Sequence, residues 1–129
     1  MRNLFAALLA ACAVFILNRY ILERARPAFT VVISPFVEEA AKTILALLFA
    51  GSIVVVHAIF GIVEAIFDLV ANFENGIGAG IVSAAGHLLF GAITFEVIAA
   101  TGSILVGISV ASFTHLAWNL LVLRFLVRG

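Results

Sequence analysis

Long apolar stretches that carry acids and imidazoles in their interiors constrain this chain more than any other feature. Glu38, Glu39, Glu64, Asp68 and Glu96 fall inside such stretches, and so do all three histidines, His57, His87 and His115. An ionisable side chain in hydrocarbon is costly, rare and functional by default, because it needs a partner or a water-filled cavity. The backbone is constrained too: in lipid every N–H and C=O must be satisfied internally, so only helices and closed barrels can span. No stretch alternates with period two over the length of a barrel strand, which leaves helices.

Composition agrees with a membrane domain. Hydrophobic residues make up 65% of the 129 and charged residues 11%, less than half the charge of an ordinary soluble domain. A soluble domain of this size could not hide so much apolar surface. The net charge is zero and no basic stripe points to nucleic acid. A single cysteine, Cys12, rules out an intrachain disulfide and a cysteine-rich zinc site.

Five spans fit, forming one all-α transmembrane domain over residues 1–129. The first covers 3–21. Leu9-Ala10-Ala11-Cys12 resembles a lipoprotein cleavage box, but the sequence stays apolar from Ala13 to Leu17, so an uncleaved first helix is expected. A charged segment, Arg19 to Arg26, follows. Pro27 suits the first turn of a second helix running to about Ala50, with a kink or change of direction at Pro35. Gly51-Ser52 is the turn signal before a third helix over 53–73. Asn72-Phe73-Glu74-Asn75-Gly76 reads as a loop, and a fourth helix covers 78–100. Thr101-Gly102-Ser103 turns into a fifth, ending near Phe125. The core that carries the polar residues is 27–126. Arg19, Arg24, Arg26, Arg124 and Arg128 then share one side and Arg2 the other, so the positive-inside rule places the N-terminus outside and the C-terminus in the cytoplasm.

Counted inward from that cytoplasmic side, Glu38, Glu39, Glu64, His87 and His115 each lie nine or ten residues deep, about 15 Å at the helical rise. Four helices thus bring ionisable groups to one level. Glu38 and Lys42 are four apart, so an ion pair between them is expected, leaving the second carboxylate free to act as a general base. His115 and Asn119, also four apart, offer donors for a developing oxyanion.

These residues also match a pattern. Glu38-Glu39-Ala40-Ala41-Lys42 resembles the EExxK motif of PrsW-type intramembrane proteases, and Phe60-Gly61-Ile62-Val63-Glu64 their FxxxE motif. Gly86-His87-Leu88-Leu89-Phe90-Gly91 resembles the third motif, and His115-Leu116-Ala117-Trp118-Asn119 the closing HxxxN. The resemblance is to the superfamily of CAAX prenyl proteases and bacteriocin-processing enzymes, which has the Aph subunit of gamma-secretase as a distant, non-cutting relative. It covers helices two to five. It implies a glutamic intramembrane endopeptidase acting on membrane proteins or lipidated peptides without a cofactor. Glu38 or Glu39 would activate water, His115 and Asn119 would polarise the scissile carbonyl, and His87 would complete the water site with support from Lys42, Phe60 and Glu64. The chain departs from the pattern in its shortness, in Ala65 where such proteins often have Asn, and in the short join between helices two and three. Glu74-Asn75 is a second match to that glutamate, in a loop.

Other readings use the same residues. His87, His115 and Glu38 could hold zinc, since imidazole and carboxylate suit it, although no HExxH helix is present. The polar groups could be helix glue in a silent scaffold that works beside a larger partner, or steps in a proton or ion pathway. Glu64 could serve only as a hydrogen-bond partner for a histidine. His57, Asp68 and Glu96 are expected in interfacial or packing roles, and Trp118 in packing. The small residues Gly86, Gly91, Gly107, Ser109, Ala111 and Ser112 of helices four and five are expected to allow close helix contact.

Overall fold

A computed structural model describes residues 1–24, 27–71 and 76–126. They form five α-helices: α1 (Arg2–Arg24), α2 (Pro27–Leu48), α3 (Ile53–Ala71), α4 (Gly76–Thr101) and α5 (Ile104–Leu126). There is no strand among the described residues. The chain is an all-α membrane bundle. Four helices, all but α2, are long and apolar enough to cross a bilayer. With 22 residues α2 has the length, about 33 Å at the helical rise. What sets it apart is Glu38, Glu39 and Lys42 in its interior, all of them buried by its neighbours.

Pro27 opens α2, where its missing N–H costs nothing. Pro35 lies inside α2 and does not end it. The α2–α3 connection is four residues, and Ala50 takes the left-handed conformation there, with φ 49°. That geometry closes the helix through Gly51 N–H donating to the Ala46 carbonyl at 2.7 Å. Gly102, with φ 69°, plays the same part after α4. The sequence expectation for α4 began two residues late. Residues 72–75, including the Glu74-Asn75 alternative, and Arg26 and Arg128 lie outside the described residues.

The helices close into a ring in which α1 touches α2 and α3, α2 touches α5, and α4 bridges α3 and α5, with α2 also against α3. Small residues set the closest approaches. On α1, Ala6, Ala7, Ala10 and Val14 are buried against α2 and α3. The Asn3 side chain ties this helix to the turn by accepting from Ser52 N–H at 2.9 Å. The α3–α4 interface is the most extensive, and two glycines let histidines into it. A Cβ on Gly61 would lie 2.8 Å from the His87 Cβ, and one on Gly91 would lie 2.6 Å from the His57 Cβ. Gly86 packs under the Trp118 indole, and Gly107 under Ile98. Ala111 and Ser112 are buried as well. Of the small residues named from the sequence, Gly86 and Gly107 lie at the α4–α5 contact, whereas Gly91, like Gly61 of α3, accommodates a site histidine.

Candidate functional site

The polar residues of α2, α3, α4 and α5 meet in one buried network. Its centre is Glu39, fully buried. Its Oε1 accepts from Lys42 Nζ at 2.5 Å and from His115 Nδ1 at 3.0 Å. Its Oε2 lies 3.0 Å from His57 Nε2. Lys42, also fully buried, donates a second hydrogen bond to His87 Nδ1 at 2.8 Å. It sits 4.7 Å from the centroid of the Phe60 ring, a favourable place for a cation. His87 Nε2 in turn bonds Glu64 Oε2, which also accepts from the Ser83 hydroxyl at 2.7 Å.

The expected Glu38–Lys42 pair is not what forms. Lys42 pairs with Glu39, three residues away, because both side chains turn toward the bundle interior while Glu38 faces the cavity. Glu38 is held from the other side. Asn18 of α1 donates to Ser34 Oγ at 2.6 Å, and the Ser34 hydroxyl donates to Glu38 Oε1 at 2.6 Å. Glu38 Oε2 is buried and has no hydrogen-bond partner among the described residues. Across from it, 3.8 Å away, is His115 Nε2.

Donor and acceptor chemistry fixes most of the protons. An ammonium only donates, so His87 Nδ1 is an acceptor and the ring proton is on Nε2, directed at Glu64. His115 Nδ1 donates to Glu39, and its Nε2 faces Glu38 Oε2. His57 Nδ1 donates to the Ile53 carbonyl at 2.9 Å, and its Nε2 faces a carboxyl oxygen. One further proton must therefore lie between His57 and Glu39. The rings are locked by packing: His115 stacks on Phe90 at 4.5 Å, and His87 meets Phe60 and Phe90 edge-on.

A cavity of about 180 Å³ reaches this network. Asp68, Ala79 and Val122 line it near the ends of α3 and α5 and the start of α4, and Glu38, His87 and His115 line its deep part. Glu64, Val82, Ser83, Phe90, Trp118 and Asn119 complete the wall. The Glu64 side chain is 39% exposed, so the cavity ends on Glu38 and Glu64, whereas Glu39 and Lys42 lie behind them.

Of the residues singled out in the sequence, Glu38, Glu39, Lys42, Phe60, Glu64, His87 and His115 come together, and Asn119 joins them on the cavity wall. Glu96 stays apart and exposed on α4. The expectation for His57 needs correcting: it is fully buried and bonded to Glu39, not interfacial. The signal was present, since His57 and Glu64 are seven apart and seven residues bring a helix back to the same face. Asp68 and Trp118 line the cavity rather than merely packing. A metal ion would find Glu38, His87 and His115 with one ligand atom each within 4.8 Å of one another. Both His87 nitrogens are already engaged, by Lys42 and Glu64, so ligation would require one of those bonds to break.

Comparison with protein-family models, with curated proteins and with solved structures finds no match to this chain.

Proposed function

We propose that the chain is an intramembrane endopeptidase in which Glu38 activates water, as its resemblance to the PrsW and CAAX-protease superfamily implies. One observation carries the reading. Glu38 Oε2 and His115 Nε2 face each other 3.8 Å apart at the deep end of a cavity, and Glu38 Oε2 has no hydrogen-bond partner among the described residues. A single water can bridge the two. As its oxygen attacks a scissile carbonyl carbon, Glu38 takes its proton, and the carbonyl electron pair moves onto oxygen. The Asn119 amide on the cavity wall is the donor for that charge. When the C–N bond breaks, the proton on Glu38 passes to the departing amine. Glu39, Lys42, His57, His87 and Glu64 hold these groups in place.

The donor set favours this metal-free route over zinc, because Lys42 occupies a His87 lone pair and places a cation beside the site. A purely structural role fits poorly with an unpartnered carboxylate oxygen, since glue between helices is satisfied glue. An ion pathway fits poorly as well. The polar chain ends at the Ile53 carbonyl, beneath the apolar cluster of Ala6, Ala7, Ala46, Ile53 and Val56. The cavity opens toward the side that Arg19 and Arg124 share, so the proposed cytoplasmic C-terminus also puts the water supply in the cytoplasm.

The test is substrate trapping in native membranes. Glu38→Gln should fold as the wild type does and retain uncut membrane-anchored peptides, with cleavage lower by about a hundredfold or more, the scale of a lost general base. New peptide ends that appear equally with wild type and Glu38→Gln would refute the assignment.

A further inference from the structure

A second cavity, about 410 Å³, lies between α1 and α3, a volume in the range of sites that take small organic ligands. Its walls are apolar, with Leu8 and Phe15 on α1 and Val63 and Phe67 on α3. Its polar part consists of Asn18, Glu38, Glu64 and Asp68. The three carboxyl groups also line the first cavity, so the two spaces meet there. At that junction the protein offers acceptors almost alone. Asn18 Oδ1 and Glu38 Oε2 are buried without partners among the described residues, and one of the two Asn18 amide hydrogens is committed to Ser34. Glu38 is only 6% exposed, so this is a built acceptor site and not a surface acid. Burying unpartnered acceptors beside an apolar wall is costly unless the occupant supplies donors.

We propose that the α1–α3 cavity binds a cationic amphiphile: a hydrocarbon chain along Leu8, Phe15, Val63 and Phe67, with an amine head between Asn18, Glu64 and Asp68. An ammonium brings three donors and a positive charge to a place that has four acceptors and three acids. The chain, meanwhile, exchanges one apolar environment for another at little cost. Fatty acids and anionic lipids meet like charge there, and a neutral alcohol brings one donor and no charge. The proposal rests on the shape and chemistry of the cavity and stands apart from the peptidase reading. An occupant of this cavity would nevertheless reach the Glu38 water site from the bilayer.

The experiment is photolabelling of the full chain in phosphatidylcholine nanodiscs. Three alkyl probes of equal length carry a diazirine at the chain end and an amine, alcohol or carboxylate head, and the labelled peptides are mapped by mass spectrometry. The amine probe should label the 8–15 and 63–67 segments about tenfold or more above the alcohol, the scale of one charge-assisted hydrogen bond, with the carboxylate lowest. Asp68→Asn should bring the amine's labelling down toward the alcohol's. Equal labelling by amine and alcohol would overturn the proposal, as would labels spread over the lipid-facing residues Leu88, Leu89 and Phe113. Neither result depends on cleavage, so failure here and failure of the peptidase reading are separable.

Discussion

Replacing Lys42 tests whether the buried network is a single interacting unit. The Lys42 ammonium is inaccessible and joins Glu39 at 2.5 Å to His87 at 2.8 Å, with the Phe60 ring beneath it. Lys42→Met keeps an unbranched apolar stem of similar length and deletes the charge. Glu39 then remains buried with two imidazole partners and no fixed cation, and His87 Nδ1 loses its donor. Removing one partner of a buried pair costs about 3–5 kcal/mol in water-soluble proteins. Helices separated in a bilayer still find polar partners, which lowers such costs, so a loss of about 3 kcal/mol is expected here. Unfolding in mixed micelles by graded addition of denaturing detergent, followed by circular dichroism, would measure it. The double variant Lys42→Met with Glu39→Gln should regain about half of the loss, because the orphaned charge is gone; the two sites share a hydrogen bond and cannot be additive. A single-variant loss below about 1 kcal/mol, the value of an exposed pair, would refute the idea that Lys42 and Glu39 form a desolvated pair. Simple additivity in the double variant would refute it too.

Three further substitutions probe separate parts of the structure. Gly91→Ala places a methyl 2.6 Å from the His57 Cβ and should cost about 1–3 kcal/mol as an overpacked interface, read by the same detergent titration. Ser34→Ala removes the hydroxyl that holds Glu38 Oε1; cleavage should fall about tenfold, equivalent to about 1.4 kcal/mol, with Ser34→Thr restoring most of it in a membrane-reporter assay. Ala50→Gly relieves a left-handed backbone at an exposed residue and should raise stability by up to about 1 kcal/mol, visible as a later detergent midpoint.

The helices were legible because lipid removes most alternatives. Once the chain is read as membrane-spanning, apolar run length and the Pro27, Gly51 and Gly102 signals place all five. The meeting of Glu38, Glu39, Glu64, His87 and His115 was legible from depth alone. Depth, however, carries no azimuth. Helical spacing allowed Lys42 to pair with either Glu38 or Glu39, at four or three residues, and only the packing of α3 and α4 decided for Glu39. His57 was misjudged for the converse reason: counting from the helix end placed it near the outer side, while its face, shared with Glu64, pointed at Glu39. The Asn18–Ser34–Glu38 connection was invisible, since Asn and Ser in an apolar run carry no periodic signal and α1 lies outside the recognised motifs. Nor did the left-handed residue of the α2–α3 turn announce itself; the glycine next to it was the expected one.

Charge balance connects these details to the proposed chemistry. Glu38, Glu39 and Glu64 face one fixed cation, Lys42, in a region where an uncompensated charge is costly. Lys42 offsets one carboxylate. The proton that must lie between His57 and Glu39 offsets a second. With His87 fixed as a neutral donor to Glu64, one negative charge remains. It is carried by the two carboxyl groups that line the cavity, Glu38 and Glu64, of which Glu38 has an oxygen without a partner among the described residues. In this arrangement the buried partners neutralise each other and leave the excess charge where water can reach it, which is the condition a general base has to meet. It also accounts for the unusual character of α2. A helix with three ionisable groups in its middle is held in the bundle because they bond across it: Glu39 to His57 of α3 and His115 of α5, Lys42 to His87 of α4, and Glu38 through Ser34 to Asn18 of α1.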